Sequence, residues 1–466
     1  MSTQRRPRRV KGTRMRNWIA GVSELMKSRL WPFPLAAMVL FVVIGVVTPR
    51  IDLVLDSALP RSVDSLLFNG GSQTARSVLS SIAGSLITAT SLTFSLTVVS
   101  LQLASSQMSP RVLRLFASDR WVHATLAVFL GTFAYSITVL RSVRDVTNTV
   151  SGFVPRIAVT FGFVLTLVSV VMLVFFLAHL TTLLRVETIL KDIHAETDRA
   201  IGLVGDNNAS ADAFGAEIRI PEHRTTITSS ASGFITSRDL PAVVAVAAEH
   251  RIVIQEVKRV GDSLIVGTPL AHWWASGDEG DAADRDATDR DATDRDAVER
   301  AVRRAHVIGY ERTAAQDVDY GVHQIVDIGV RALSPGINDP TTASHALGHI
   351  SALLARVVEL PTLPLGLAGP DGCLRVVTTS RSIGEIIHDG LSQIRHYGAG
   401  DPVVVTRFLQ LISDLAYTCP SAEVRAALVT QLDALAGQLN DDDSDPAAIG
   451  ELLAATGVLM QELGGR

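Results

Sequence analysis

The chain has 466 residues, of which 47% are hydrophobic and 19% charged, with a formal net charge of −5. That length allows a membrane part beside a separately folded part, and so mild a charge names no partner. Its two cysteines, Cys373 and Cys419, lie far apart and match no metal spacing, which excludes a disulfide framework and leaves reduced cytosolic thiols.

Residues 1–29 form a basic tail carrying Arg5, Arg6, Arg8, Arg9, Lys11, Arg14 and Arg16. Ahead of an apolar span, such charge is a positive-inside signal or an anionic-lipid contact rather than a nucleic-acid site. The first span, residues 30–47, has no small-residue cleavage site and is followed by further spans, so it reads as an anchor. Three more follow at 77–110, 121–140 and 157–184, each near or above the ~20 residues that cross a bilayer. Residues 30–184 are thus expected to form a four-helix transmembrane domain; an even number of spans puts both termini on one side, which the basic tail marks as the cytoplasm. The only ionisable groups expected inside the spans are His123 and His179, near the ends, which argues against a proton pump or voltage sensor.

The second span stands apart. It lacks charge but carries many hydroxyls and amides. At 3.6 residues per turn, Ser81, Ser85, Thr88, Ser95, Gln102 and Ser106 fall along one stripe, and Thr90, Thr93, Thr97 and Ser100 along a neighbouring one. Leu86, Leu92, Leu96, Val99 and Leu103 are expected partly opposite. The first stripe is the candidate pore lining, since hydroxyls can wet a path without fixing a charge. The competing reading is close helix packing with hydroxyls bonded to their own i−4 carbonyls. The following SPRVLRLF reads as a turn and an interfacial helix.

Residues 185–217 read as a helix extension and linker. From 218 to 274 the chain alternates, is rich in β-branched residues and is punctuated by glycine, the pattern of a small β-module. LPAVVAVAAEHR within it reads as a helix. The GD…GTPL hairpin resembles that of barrel-sandwich domains of the biotinyl and lipoyl type. The place of their modified lysine holds the helical insert and no lysine, so no cofactor is expected. Residues 275–297 contain DRDATDRDATDRDA, a charged low-complexity loop. Residues 298–466 read as a mainly helical domain, a C-terminal bundle, with CLRVVTTS as one strand. In SPGINDP, Asp339 is a natural N-cap and Pro340 suits a first helical turn.

SLTFSLTVVSLQLASSQMSPRVLRLF, FLGTFAYSITVLRSV, IGYERTAAQDVDYGVHQIVDIGVRALSPGINDPTTA and GDSLIVGTPL resemble a bacterial family of predicted membrane proteins, domain-of-unknown-function family 2254. The resemblance covers most of residues 30–440; the DRDAT repeat departs from it as an inserted loop. It implies an inner-membrane protein with a large cytoplasmic part and brings no activity with it.

Glu311, Arg312, Gln316, Asp317, His323, Asp327, Arg331, Asn338 and Asp339 form a dense polar group, either a ligand site or a salt-bridged scaffold between the β-module and the helices. His345 and His349 have an i,i+4 spacing that can hold zinc, but two ligands without an adjacent glutamate or cysteine are too few for a closed site. No nucleotide loop, dinucleotide fingerprint, nucleophile elbow or kinase set is present, so no enzyme is expected. The sequence therefore points to an α-helical membrane domain plus an α+β cytoplasmic region with a barrel-sandwich-like module and a helical bundle. Its function reads as a channel or transporter-like homo-oligomer in the lipid bilayer with a cytoplasmic regulatory domain. The alternative is a non-conducting scaffold or sensor whose cytoplasmic domain binds a partner or small ligand.

Overall fold

The computed structural model describes residues 32–55, 67–107, 119–144, 153–183, 185–209, 211–276, 292–360, 365–379, 381–419, 421–440 and 446–464. The chain divides into two compact units, Met1–Thr188 and Ile189–Arg466.

In the first unit, α1 (Pro32–Leu55), α2 (Ser72–Gln107), α3 (Arg120–Leu140) and α4 (Arg156–Leu183) are each long and apolar enough to cross a membrane. Helix α3 is the hub: two-thirds of its most apolar stretch is buried, against 17–33% in the others, and it packs on all three neighbours. Small residues make that approach possible. A Cβ at Gly131 would lie 2.9 Å from the Phe41 ring of α1, so glycine there sets the α1–α3 distance. The Tyr135 hydroxyl, buried in the same seam, donates to the Ala158 carbonyl of α4 at 2.8 Å and lies 3.2 Å from the Thr48 hydroxyl of α1.

Helix α1 outruns the expected 30–47 and takes in Pro49, Arg50 and Asp52. His123 and His179 are therefore not the only ionisable groups in the spans. The reason lies in a distant partner: Asp52 is buried because its carboxylate accepts from the Ile157 and Ala158 amides at 2.8 and 3.0 Å. Those are first-turn N–H groups of α4, which have no partner inside their own helix, and an anion suits the positive end of the helix dipole. Asp119 serves α3 alike, accepting from Trp121 and Val122 amides and lying 2.8 Å from His179 Nε2. The basic tail and the interfacial helix expected at 109–116 lie outside the described residues.

The second unit holds most of α5 (Val186–Ala209), which takes up the larger part of the helix extension and linker expected at 185–217. Then come β1 (Thr225–Thr228), β2 (Gly233–Arg238), α6 (Leu240–Glu249), β3 (Ile252–Glu256), β4 (Ser263–Leu264), β5 (Pro269–Ala275), α7 (Ala292–Ala305) and β6 (His306–Gly309). They are followed by α8 (Val318–Ala332), α9 (Pro340–Val358), β7 (Gly366–Ala368), β8 (Leu374–Val377), α10 (Ile383–Gly398), α11 (Pro402–Thr418), α12 (Ala422–Asn440) and α13 (Pro446–Gly464). Of the charged loop, residues 277–291 lie outside the described residues, and its last repeat is the start of α7 rather than loop.

The strands form a five-stranded sheet, β1-β5-β3-β8-β7, and a three-stranded sheet, β4-β2-β6. The strands of 218–274 do not close on themselves. β3 pairs in parallel with β8, and β2 pairs with β6, both strands from beyond that region. Helices α6 and α7 cover one face of the larger sheet around the buried Trp273, with Leu240, Val243 and Ala247 meeting Val298 and Val302. Beyond the sheets, α8 packs on α9 and α10, α9 on α11, and α10 on α12. Asp239, Asp317, Asp339, Ser382 and Asp401 cap the starts of α6, α8, α9, α10 and α11, which fixes where each begins.

Candidate functional site

On α2 the two stripes part company. Thr93, Thr97 and Ser100 are buried within the helical unit, whereas Ser81, Ser85, Thr88, Ser95 and Gln102 are exposed on its exterior; the side chain of Ser106 lies outside the described residues. Leu92 and Val99 are exposed too, so they are not opposite the stripe. At 3.6 residues per turn they fall within it, between Thr88 and Ser95 and between Ser95 and Gln102. The hydroxyls bond their own helix: Thr88 donates to the Gly84 carbonyl at 3.0 Å, Thr90 to Leu86 at 2.7 Å and Thr97 to Thr93 at 2.8 Å.

In the C-terminal unit, four residues of the expected polar group come together. Arg312 reaches Asp317 with both Nε and Nη2, at 2.8 and 2.9 Å. Asp317 also caps α8 through the Tyr320 amide. Burial pushes the Asp317 carboxyl above its usual range, against the pull of Arg312. Gln316 accepts from the Arg238 amide of β2 at 2.8 Å, a direct tie between the small sheet and α8. His323 and Arg312 line a minor cleft of about 80 Å³. Of the others, Glu311 is exposed, and Asn338 and Asp339 sit past the far end of α8. That end is ~20 Å away for a fifteen-residue helix. There, Asn338 takes a positive φ of 50° to turn the SPGINDP corner, and Asp339 accepts from the Thr342 amide at 3.0 Å. Hydrogen bonds from Thr342 hold the Asp339 carboxyl below its usual range.

A cavity of about 240 Å³ lies beside Asp317. Arg238, Arg259 and Arg381 line it, with Thr379 and the first-turn residues Leu240, Val318 and Ile383 of three helices. These arginines were not expected. Arg238 pairs with Glu256, whose side chain is fully buried, and His306 Nε2 stands 3.5 Å from the other carboxylate oxygen. Arg381 bonds Asp319 at 2.7 Å and also Asp389. Burial lowers its pKa, but the bonds to Asp389 and Asp319 outweigh that and leave it raised. The signal that could have found the first group is register: Arg238 and His306 are paired across β2 and β6.

His349 is not paired with His345 for a metal. Its Nδ1 lies 3.2 Å from Nδ1 of His194 on α5, and burial, then His194 and His345, lower its pKa. Among the described residues no group of three or more histidine, cysteine, aspartate or glutamate side chains is placed to hold a metal ion.

Residues 27–414 match a family described as predicted membrane protein, DUF2254. The chain belongs to this family. Uncharacterized proteins of Mycobacterium bovis (strain ATCC BAA-935 / AF2122/97) and of Mycobacterium tuberculosis strains H37Rv and CDC 1551 are each 32% identical to it over 428 residues, covering 91% of this chain and 78% of the relative. No solved structure matches it. The family description and the four apolar helices make this a membrane protein seated in a lipid bilayer.

Proposed function

We propose that this DUF2254 protein is a non-enzymatic, channel- or transporter-like homo-oligomer of the bacterial plasma membrane. In this reading α2 faces the oligomer axis, and the C-terminal unit is its cytoplasmic regulatory part. The observation that carries the reading is the exposure of Ser81, Ser85, Thr88, Ser95 and Gln102 on one side of a helix long enough to cross the bilayer. In a lone protomer that side meets acyl chains, where polar groups gain nothing; against like helices they can pack closely or wet a path. Leu92 and Val99, interleaved with them, form apolar rings in such an assembly, which can close a path by dewetting.

A second reading, a non-conducting sensor, is favoured by the hydroxyls already bonded to their own carbonyls and by the lined cavity of the C-terminal unit. Cysteines at Ser85, Thr88 and Ser95, probed in oriented proteoliposomes with a membrane-impermeant thiol reagent, separate the two. Labelling at all three, with ion flux that falls once they are modified, is the expected result. Silence at all three, with no flux in the natural protein across several ions and voltages, overturns conduction and leaves the sensor.

A further inference from the structure

We propose that the 240 Å³ cavity of the C-terminal unit binds a compact organic oxyanion, a small molecule with an apolar body ending in a carboxylate or phosphate, and that Arg259 receives its charge. The inference does not rest on conduction, since it concerns a cavity formed within the C-terminal unit alone.

The charge argument comes from sorting the three arginines. Arg238 is committed to the buried Glu256, and Arg381 to Asp319 and Asp389. Arg259 is committed to neither. Its guanidinium has one ion pair among the described residues, a 3.9 Å approach to Asp262, and its side chain is 36% exposed. Asp262 is itself occupied, accepting from the Arg259 backbone amide at 2.9 Å. A forked donor beside a cavity, with its own carboxylate neighbour turned to the backbone, suits a planar or tetrahedral oxyanion.

The loop carrying Arg259 is held in place by the Gly261-Asp262 pair of the GDSLIVGTPL hairpin. Gly261 has φ +94°, and a Cβ there would fall 2.4 Å from Asp317 Oδ2 and 2.9 Å from Arg312 Nη2. Only glycine lets the loop press on the Arg312–Asp317 pair. The hairpin glycine and the Arg312–Asp317 pair, singled out separately in the sequence, thus act together to set Arg259 at the cavity.

Two further polar atoms of the lining, both buried, have no hydrogen-bond partner among the described residues: Thr379 Oγ1 and Arg381 Nε, the latter with a 3.8 Å approach to Glu385. Unmet buried donors cost free energy unless something accepts from them, and an oxyanion is acceptor-only. The rest of the wall is mixed: Asn207, Asn208, Gln316 and the arginine-paired Asp317 and Asp319 are polar, and an apolar part that includes Val260 and Ile386 receives the hydrophobic body of the ligand. The volume lies below the roughly 300–1,000 Å³ of drug-sized pockets, which limits the body to about one ring or a short chain.

The test is isothermal titration of the full-length protein in detergent with phenyl phosphate, octanoate and inorganic phosphate. Saturable one-to-one binding of phenyl phosphate or octanoate is expected, and whichever binds more tightly names the head group. Arg259→Gln should weaken it by about tenfold to a hundredfold, the usual worth of a charge-assisted bond, with the elution profile and unfolding midpoint unchanged. Thr379→Val, a second and milder variant, should weaken it several-fold. Inorganic phosphate, lacking the apolar body, should bind at least tenfold more weakly. Absence of saturable binding by all three probes, or full affinity in both variants, overturns the proposal. Equal affinity for inorganic and phenyl phosphate overturns its apolar half.

Discussion

In the membrane unit Thr88, Thr90, Thr97, Ser100 and Ser136 each donate to the carbonyl one turn back, and the carboxylates Asp52 and Asp119 accept from backbone amides. In the C-terminal unit the buried and half-buried polar groups bond to one another, side chain to side chain: Arg238 to Glu256, Arg312 to Asp317, Arg381 to Asp319. The contrast follows from solvent. Within a bilayer a long side chain that loses its partner has no water to fall back on, so short side chains tied to their own helix are the safe choice. In the other unit, strands and helix starts from distant parts of the chain meet, and long polar side chains span the gaps between them. The hydroxyls bonded within their own helices are therefore local and replaceable, while Asp52 and Asp119 of the first unit and the charged pairs of the second are shared between elements and are not.

That contrast can be broken or sharpened by substitution. The largest effect is expected at Glu256→Ala, which leaves Arg238 without its buried carboxylate. Removing one partner of a buried pair costs about 3–5 kcal/mol, read as an earlier denaturant midpoint for the C-terminal unit by hydrogen exchange; a loss below about 1 kcal/mol would show the pair to be dispensable. Next is Asp52→Ala, which strips two buried amides of α4 of their charged acceptor. A loss of about 2–3 kcal/mol is expected, and it should appear as faster exchange in the first turn of α4. A smaller effect, seen as a slope, belongs to His349. Its imidazole binds a proton more weakly folded than unfolded, so its contribution is whole above the ordinary value of 6.5 and is lost as pH falls through the lower folded value. The natural protein should thus lose stability on acidification relative to His349→Asn, and parallel curves would show that neither burial nor the neighbouring histidines disfavour the protonated His349. The smallest effect is expected at Thr88→Val, whose hydroxyl serves only its own helix. A change of about 0.5 kcal/mol or less in thermal stability is expected, and a larger one would mean that Thr88 is packed against another chain rather than facing a water-filled path.

The helices of the first unit were legible because length and apolarity alone decide a span. The α1 boundary was not. Arg50 and Asp52 look like the end of the apolar run, and only the first turn of α4, a hundred residues on, explains why Asp52 can be buried. Asp339 with Pro340 was legible because a cap is a local device. The misplaced Leu92 and Val99 were an error of phase, visible once the helix turn is followed residue by residue. The cavity was out of reach for a different reason. Arg238, Arg259, Asp317 and Arg381 belong to four separate stretches, and the short strands β6 and β8 that help gather them carry too few residues for a periodicity to show.

The pairing of β3 with β8 has a consequence for biosynthesis. Ile254 meets Val376, a residue made 122 positions later. At about 5–20 residues per second, the ribosome takes roughly 6–24 s to cover that interval. Through it β5 can occupy one side of β3, while the other side offers unpaired N–H and C=O groups to any strand that passes. The nascent chain is therefore most prone to mispairing and aggregation midway through its synthesis.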